Sequence, residues 1–432
     1  MSNEVHDAST GFDRFGLKQV LMRGISAAGF VDPRPIQVET IPAGLEGRDV
    51  LGLAQTGTGK TAAFALPILD RLLDASPGGP RVLVLAPTRE LANQIAAEMS
   101  TLSRFTRLKM ITIFGGVSIV NQIDALRRRP EVVVGCPGRV LDLLGQGKLD
   151  LGRVDTLVLD EADHMFDMGF LPDIRRIIGA LPERRQNLLF SATMPRDIRR
   201  LADDLLTDPQ VVELADSSPA STIEHALYSI PERRKRDLLE HMLSHNSCTS
   251  AIVFTRTKHR ARRLAEQLEK AGHRAVGLQG NMSQANRDRA MRGFRNGQYD
   301  VMVATDIAAR GIDVSAVSHV INFDVPNTPE AYTHRIGRTG RAELSGVACT
   351  FVTSNDTDWV RATERKIGYS IERRQIDGFE PDRSAPEPRS QNRGRSGGSQ
   401  GNRGRSSGNR GRNSGNRGRN SGNRGRNRRR AA

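Results

Sequence analysis

Short apolar runs recur along the first half of the chain, at residues 50–53, 82–86, 132–134, 157–159 and 188–190. The stretches between them, such as Glu90–Met99 and Pro172–Leu181, repeat their apolar residues with helical periodicity. Strand and helix patterns therefore alternate, and this alternation predicts an α/β fold. The run at 156–159 is apolar without alternation, as is typical of a strand buried on both faces of a parallel sheet.

A second series of apolar runs follows in the other half of the chain, at residues 251–254, 276–278, 301–304, 320–323 and 348–352. The polar stretch 216–222 separates the two series and predicts a linker between a first domain, 1–215, and a second, 223–378. The second half has no phosphate-binding loop of its own. We therefore expect it to complete, from across a cleft, a site that the first half carries.

That site is indicated by the run AQTGTGKT at residues 54–61. Gly57 and Gly59 lack side chains, so the backbone can curl with its N–H groups directed at phosphate oxygens. Lys60 supplies a cation and Thr61 a hydroxyl for Mg²⁺. The pattern predicts a loop that binds the phosphates of a nucleoside triphosphate.

A protein carboxylate is needed to complete the magnesium shell, and the run DEAD at residues 160–163 supplies one. It follows the predicted buried strand directly, at the edge of the sheet where parallel α/β folds bind their ligands. We expect Asp160 to hold Mg²⁺ and Glu161 to position or deprotonate the attacking water.

The sequence HRIGRTGR at residues 334–341 carries the groups that would complete this site from the second half. His334, Arg338 and Arg341 share one helical face if the helix persists through Gly337 and Gly340. Arginines brought to a triphosphate from a separate lobe neutralise the charge that develops on the transferred phosphoryl group.

Composition and charge narrow the class of protein. The chain has 432 residues, 37% of them hydrophobic, and we expect a soluble, cytoplasmic, multidomain protein because no secretory or membrane-spanning pattern is present. The three cysteines are isolated from one another, which argues against disulfides and zinc knuckles. The net charge is +15, of which +14 belongs to residues 383–432 with fifteen arginines and one acid, so that residues 1–382 carry +1.

The basic tail, residues 379–432, repeats NRGR in a background of Gly, Ser and Asn that cannot form a core. We expect it to be disordered and to bind nucleic acid through phosphate charge, since no aromatic residue follows Phe379. A solubilising linker is the alternative reading of this segment.

The ordered set of motifs resembles the DEAD-box RNA helicases. These motifs are GFVDPRPIQ at 29–37, AQTGTGKT, PTRELA at 87–92, DEAD, SAT at 191–193, VATDIAARGIDV at 303–314 and HRIGRTGR. The resemblance covers residue 12 to about residue 370, and the Arg/Gly-rich extension resembles the bacterial RhlE-like subgroup. It implies two tandem RecA-like domains, with a Q motif at residues 10–38, that hydrolyse ATP and unwind RNA duplexes locally.

The resemblance also implies roles for single residues at the ATP site. Gln37 would bind the adenine edge through its carboxamide and Phe12 would pack on the base, which favours ATP over GTP. Asp313 would reach the ribose, while Asp163, Ser191, Thr193 and His334 would couple ATP to RNA binding. The full set of ATP-binding positions implied is Phe12, Gln37, Ala54, Gln55, Thr56, Gly57, Thr58, Gly59, Lys60, Thr61 and Asp313.

The positions implied for RNA should bind phosphates and sugars without reading bases. They are Pro87, Thr88, Arg89, Gly115, Gly116, Pro137, Gly138, Arg139, Gln284, Arg287 and Thr305. Cys136 stands where the family usually has Thr, so a hydroxyl for RNA is absent there while the backbone N–H could still serve, and Gln279 replaces a frequent His. The expected role lies in ribosome assembly or RNA turnover, with ribosomal precursors or a ribonuclease complex as partners.

Two other functions share these features. A DNA-directed helicase or translocase would use the same two ATP-binding lobes. Discrimination between RNA and DNA rests on contacts to the 2′-hydroxyl, which composition does not reveal. An RNA chaperone or clamp with weak ATPase activity is favoured only if Glu161 is dispensable. Comparing ATP hydrolysis with matched RNA and DNA oligomers separates the first alternative from an RNA helicase.

Overall fold

The computed structural model describes residues 11–54, 57–76, 78–214, 223–245, 247–309, 317–340 and 346–379. In the N-terminal half, the described residues form one seven-stranded parallel sheet of order β3-β4-β2-β5-β6-β1-β7. Its strands are β1 (Val50–Leu53), β2 (Val82–Leu85), β3 (Met110–Ile113), β4 (Val132–Gly135), β5 (Thr156–Leu159), β6 (Gln186–Ser191) and β7 (Gln210–Glu213).

Helices cover both faces of this sheet. They are α1 (Gln19–Ala27), α2 (Pro35–Leu45), α3 (Lys60–Leu72), α4 (Arg89–Leu102), α5 (Ile119–Leu126), α6 (Pro137–Gly145), α7 (Ala162–Asp167), α8 (Leu171–Ile178) and α9 (Arg196–Leu205). Side chains of β2 alternate between the two cores: Val82 and Val84 pack on the side of α3 and α4, whereas Leu83 and Leu85 face α6, α8 and α9. Burial on both faces explains the continuous apolar runs.

The C-terminal half repeats this architecture, with strands β8 (Ile223–Ser229), β9 (Ala251–Phe254), β10 (Ala275–Leu278), β11 (Val301–Ala304), β12 (His319–Asn322), β13 (Gly346–Val352) and β14 (Glu372–Arg374). The helices are α10 (Lys235–Leu243), α11 (Lys258–Lys270), α12 (Gln284–Arg295), α13 (Asp306–Ala309), α14 (Pro329–Ile336) and α15 (Thr357–Ile367). The order β10-β11-β9-β12-β13-β8-β14 is that of the first sheet, strand for strand. We call the two halves the first and second lobes.

Local sequence fixes where several helices begin. Thr88, Thr257, Ser283 and Thr328 precede α4, α11, α12 and α14, and each side-chain oxygen accepts a hydrogen bond from the backbone N–H three residues on. Helix α1 lies against the end of α4, because Gly24 has no side chain: a Cβ there would stand 1.9 Å from the Leu102 carbonyl oxygen.

The predicted fold class of two tandem RecA-like parallel-sheet domains is confirmed by these sheets and by the solved structures compared below. The predicted linker 216–222 and residues 380–432 of the predicted tail lie outside the described residues, so the domain boundaries stay predictions. No helix in the described part of the chain is long and apolar enough to span a bilayer.

Candidate nucleotide and nucleic-acid sites

A pocket of about 370 Å³ lies at the carboxyl ends of β1 and β5, where the loops of a parallel sheet converge. Its lining brings together seven of the residues predicted to bind or hydrolyse ATP: Gln37, Gly57, Gly59, Lys60, Thr61, Asp160 and Glu161. The pocket wall also includes Phe30 and Arg34, which sequence reasoning did not select.

The phosphate-binding loop has the backbone that the glycines predicted. Gly57 and Gly59 have φ angles of 91° and 93°, in the left-handed region that side chains disfavour. A Cβ on Gly59 would lie 2.6 Å from Nε2 of Gln37, so this position also requires glycine for space. Gly59 is the N-cap of α3, and the N–H groups of that first turn point to where an anion binds.

Lys60 is buried at the first position of α3. Its Nζ donates a hydrogen bond to the Ala54 carbonyl oxygen at 3.0 Å and lies 3.8 Å from Oδ1 of Asp160. Strand β5, which Asp160 follows, and helix α3, which begins at Lys60, therefore bring opposite charges together at the predicted metal and phosphate position.

Gln37 is buried, 1% exposed, and both ends of its carboxamide already contact the backbone. Its Oε1 accepts a hydrogen bond from Arg34 N at 2.9 Å, and its Nε2 donates one to the Gly59 carbonyl oxygen at 3.1 Å. An amide has a second N–H and a second lone pair, so these bonds leave capacity for an adenine edge. Gln37 thus ties the start of α2 to the phosphate-binding loop.

Phe12 is 3% exposed, and its ring packs edge-on against Phe15 and Phe30 at centroid distances of 5.9 and 6.0 Å. Phe12 is predicted to pack on the base, but the aromatic residue that lines the pocket is Phe30. Phe12 supports Phe30 from behind. Its own contact with the base stays a prediction.

Asp160 and Glu161 follow β5 and are both buried. Burial raises the pKa of Asp160 from 3.8 to about 6, opposed by the positive charge of Lys60. The pKa of Glu161 is lowered despite burial, because His164, Lys60 and Arg338 stabilise its charge. Glu161 has a φ of 53°, a left-handed conformation that costs an ordinary residue energy and is typical of functional sites.

His164 is a residue that sequence reasoning missed. Its Nδ1 lies 2.7 Å from Oε2 of Glu161, with both side chains 5% exposed, and because a carboxylate can only accept, Nδ1 carries the proton. Its ring lies edge-on to His334 of the second lobe, with centroids 5.2 Å apart. The spacing of three residues from Glu161 at the start of α7 was the available signal.

Three of the four predicted coupling residues form one hydrogen-bonded cluster. Oδ2 of Asp163 accepts bonds from the backbone N and the Oγ1 of Thr193, both at 2.9 Å. The Oγ of Ser191 accepts from Asp163 N at 3.2 Å and donates to the Thr193 carbonyl oxygen at 2.7 Å. The cluster joins the end of β6 to α7. The fourth residue, His334, stands opposite in the second lobe.

The condition for His334, Arg338 and Arg341 to share one helical face, a helix that continues through Gly337 and Gly340, is not met. Helix α14 ends at Ile336, Gly337 caps it, and Gly340 has a φ of 65°, so Arg338 lies beyond the helix. Arg338 is nevertheless 5% exposed and lines a small pocket with His164 and His334. Arg335, between His334 and Arg338 in the sequence, holds the second lobe together: its guanidinium donates hydrogen bonds to Asp306, Asn322 and the Asp324 carbonyl oxygen.

A second groove, of about 440 Å³, runs between the lobes. Seven of the predicted RNA-binding residues line it: Pro87, Thr88, Arg89, Gly115, Gly138, Arg139 and Arg287. Gly116 has a φ of 75°, and a Cβ there would stand 2.4 Å from an Arg89 nitrogen. Pro137 opens α6 beside the groove, and the carbonyl oxygen of Thr305 accepts the Ala308 N–H near the start of α13.

Contacts join the two lobes across this groove. Arg287 Nη2 lies 2.7 Å from Oε1 of Glu90, with side-chain exposures of 9% and 12%. Arg89 Nη1 donates a hydrogen bond to Oε1 of Gln284 at 3.1 Å. Two residues predicted to bind RNA, Arg287 and Gln284, are therefore held against the first-lobe helix α4.

Cys136, which replaces the Thr that the family usually has, also lines the groove and is 9% exposed. Burial, reinforced by the Glu90 charge, raises the pKa of its thiol to about 12, so it stays neutral. The thiol gives the groove a weaker hydrogen-bonding group than a hydroxyl. Four other predicted site residues, Gln55, Thr56, Asp313 and Arg341, lie outside the described residues.

Two lobes of one strand order, with a phosphate-binding loop on the first and a groove between them, define a two-domain nucleic-acid helicase core. The model of the DEAD/DEAH box helicase family matches residues 34–201, and that of the helicase conserved C-terminal domain matches residues 234–343. The chain belongs to the DEAD-box ATP-dependent RNA helicases.

Two relatives carry this assignment. The DEAD-box ATP-dependent RNA helicase CshA of Bacillus subtilis is 46% identical over 363 residues, which cover 84% of this chain and 73% of the relative. CshA of Geobacillus kaustophilus is 45% identical over 365 residues, 84% of this chain and 78% of the relative.

Solved structures of helicases agree with the fold. S. cerevisiae Dbp5 bound to RNA and ADP BeF3 is 34% identical with a TM-score of 0.76, covering 85% of this chain and 95% of Dbp5. Mss116 bound to ssRNA and UDP-BeF is 26% identical with a TM-score of 0.78, covering 85% of this chain and 80% of Mss116.

Proposed function

We propose that ATP and one RNA strand bind across the two lobes together, close the cleft, and bend the strand so that its partner strand cannot stay paired. ATP hydrolysis then reopens the cleft and releases the product. The observation that carries this proposal is the meeting of Glu161 and His164 of the first lobe with His334 and Arg338 of the second. The RNA and ADP BeF3 bound to the similar Dbp5 support the same arrangement.

In this proposal, the first lobe binds the triphosphate. The N–H groups at the start of α3 and the Lys60 ammonium would bind phosphate oxygens. Glu161, held by His164 in an ionised state, would position or deprotonate the attacking water. Arg338 and Arg341 of the second lobe would neutralise the charge on the γ-phosphate.

The residues at this site fit Mg²⁺. Thr61 and Asp160 both line the pocket and offer the hard oxygen ligands that Mg²⁺ prefers. The raised pKa of Asp160 marks a carboxylate whose charge Lys60 only partly compensates, as expected where a cation completes the site. Bound there, Mg²⁺ would supply charge neutralisation to the phosphates.

Closure of the cleft would bring the two lobes into contact with a single RNA. The lining of the groove by Thr88, Arg89 and Arg139 of the first lobe and Arg287 of the second supports this view. Phosphate and sugar contacts of this kind carry no base preference. The cluster of Asp163, Ser191 and Thr193 would transmit the closed state to the ATP pocket.

For the cellular role we propose ribosome assembly or RNA turnover in the cytoplasm, with ribosomal precursors or a ribonuclease complex as partners. The similarity to CshA helicases supports a bacterial-type RNA helicase. The relatives compared above are CshA proteins and give no support for the RhlE-like subgroup. That subgroup stays our prediction from the Arg/Gly-rich tail. Crosslinking RNA to the protein in cells and sequencing it would identify the substrate.

Steady-state ATP hydrolysis with saturating RNA tests the cross-cleft assignment. We expect Arg338→Ala to lower kcat by roughly a hundredfold or more, since cross-lobe arginines act on transition-state charge. Arg341→Ala should act in the same direction. The matched control is Arg361→Ala, an exposed arginine on α15. Turnover equal to that of the unchanged protein in both Arg338→Ala and Arg341→Ala would refute the proposal.

A further inference from the structure

Basic residues gather on the first lobe at the end of the sheet opposite the ATP pocket. Arg104, Arg107 and Lys109 follow α4 and precede β3, whereas Arg128 and Arg129 follow α5 and precede β4. The backbone N of Glu131 donates to the Lys109 carbonyl oxygen at 3.0 Å, so the two segments lie side by side. All five side chains are exposed.

A sixth cation joins them through an exposed aromatic ring. Phe105 is 40% exposed, and the guanidinium carbons of Arg23 and Arg104 lie 4.4 and 5.2 Å from its centroid. Arg23 reaches the ring because Gly24 allows α1 to touch the end of α4. A guanidinium stacked on a ring is held in place while its N–H groups remain directed outward, as bidentate phosphate binding requires.

We call Arg23, Arg104, Arg107, Lys109, Arg128 and Arg129, arranged around Phe105, the basic face. Within the described part of the chain, no carboxylate lies within ion-pair distance of Arg104, Arg107, Arg128 or Arg129, whereas neighbouring Arg127 pairs with Asp124 at 2.7 Å. The acid that precedes β4, Glu131, accepts the backbone N–H of Lys109 at 2.8 Å. Because residues 1–382 carry a net charge of only +1, general basicity does not explain this concentration.

The same two strands connect the basic face with the predicted RNA groove. Gly115, Gly138 and Arg139 follow β3 and β4 at their carboxyl ends and line the groove, whereas the basic face precedes these strands. Four residues of strand separate the two ends by roughly 13 Å. Strand β3 is also the edge of the sheet, so no further strand lies outside it in the described part of the chain.

We propose that the basic face is a second binding site for the phosphate backbone of RNA, used by the part of a long substrate that extends beyond the groove. Six clustered cations, four of them without an ion-pair partner in the described part of the chain, fit a polyanion, and the established substrate of this family supplies one. Phe105 positions the guanidiniums of Arg23 and Arg104, and contacts to phosphate do not distinguish one base from another. The site should strengthen binding of long RNA without taking part in ATP hydrolysis.

The full-length variant Arg104→Gln/Arg107→Gln/Arg128→Gln/Arg129→Asn tests this site. Asn suits position 129, where φ is 49°. The matched control removes four exposed arginines from α8 and α9: Arg175→Gln/Arg176→Gln/Arg199→Gln/Arg200→Gln. Each protein is assayed for RNA-stimulated ATP hydrolysis with a single strand of about 10 nucleotides, which fills the groove only, and with a structured RNA several times longer.

For the basic-face variant we expect the half-saturating concentration of the long RNA to rise at least about fivefold. The slope of log affinity against log salt should fall by roughly 3, since four phosphate contacts are lost and each accounts for about 0.7 to 0.9. With the short strand, both kcat and half-saturation should stay within about twofold, and the control should match the unchanged protein with both RNAs.

Unchanged affinity and salt slope with the long RNA would overturn the proposal, and so would an equal loss in the control, which would indicate general charge. If the fourfold variant loses turnover with the short strand, the milder pair Arg104→Gln/Arg107→Gln decides. That pair should retain short-strand turnover and show about half the loss of slope. A loss with the short strand in the pair as well would assign these arginines to the groove and refute a separate site.

Discussion

The imidazole rings of His164 and His334 lie edge to face, with centroids 5.2 Å apart and planes at 78°. One ring belongs to the first lobe and hydrogen-bonds to Glu161, and the other belongs to α14 of the second lobe. The residue that orients the predicted hydrolytic carboxylate, His164, therefore contacts the opposite lobe through His334. Opening of the cleft would remove that contact.

Replacing His164 should separate positioning from nucleotide binding. We expect His164→Leu to lower kcat roughly ten- to hundredfold, because Glu161 loses the donor that orients it, while KM for ATP changes little. His164→Asn should recover part of the rate, since its Nδ2 can replace Nδ1 as donor. Steady-state kinetics with saturating RNA measures both. A His164→Leu enzyme with unchanged kcat would contradict the role given to this bond.

The largely buried pair of Glu90 and Arg287 joins the lobes, and its partners should behave as one unit. Glu90→Gln and Arg287→Gln should each weaken RNA binding in the presence of a nonhydrolysable ATP analogue, because each leaves a buried partner uncompensated. The double variant should be no weaker than the worse single variant, which gives a coupling energy of about 1 to 3 kcal/mol. Fluorescence anisotropy with labelled RNA measures the cycle, and strictly additive losses would show that the pair is not coupled.

The tail should contribute affinity without contributing chemistry. The Gly-, Ser- and Asn-rich composition of residues 383–432 predicts a flexible chain, and fifty such residues would span on the order of 40 Å and keep RNA near the core at high effective concentration. We expect its deletion to weaken RNA binding strongly at low salt and to flatten the salt dependence, while turnover at saturating RNA stays nearly intact. Equal salt slopes with and without the tail would contradict this.

Asp160 should make the protein less stable as pH rises. Its folded pKa of about 6 exceeds its ordinary value of 3.8, so the native state binds the proton more tightly and loses stability between these two values. The full effect is on the order of 3 kcal/mol. The melting temperatures of Asp160→Asn and of the unchanged protein are measured with chelator and without nucleotide. The melting temperature of the variant minus that of the unchanged protein should therefore increase by a few degrees between about pH 4 and about pH 6.5. A constant difference across this range would contradict the shift.

Strands buried on both faces were predictable from sequence, because burial leaves no polar position to interrupt them. Four other strands were missed. β3 is partly exposed, β7 carries Val211 at 51% exposure, β8 mixes polar and apolar residues, and β14 reads Glu372–Arg374. Three of them, β3, β7 and β14, are edge strands. An edge strand has a neighbouring strand on one side only, so polar residues are tolerated and the hydrophobic pattern no longer identifies the strand.

At the site, local motifs predicted local geometry. The left-handed glycines of the phosphate-binding loop and the strand that delivers Asp160 were both found as expected. The end of α14 at Ile336 could not be read from a sequence in which glycine only weakens a helix. Neither could the pairing of Glu90 with Arg287, since residues 197 positions apart meet only through the packing of the lobes.

The shared strand order of the two sheets has a consequence for stoichiometry. After β8, at the place equivalent to the phosphate-binding loop, the second lobe has Ile230, Pro231 and Glu232 and no glycine-lysine sequence. In the proposed mechanism, one polypeptide thus supplies both of the like units that would hold the nucleotide, and the arginine that would meet the nucleotide arrives in cis. Turnover per molecule should for this reason be independent of dilution, with no second copy required.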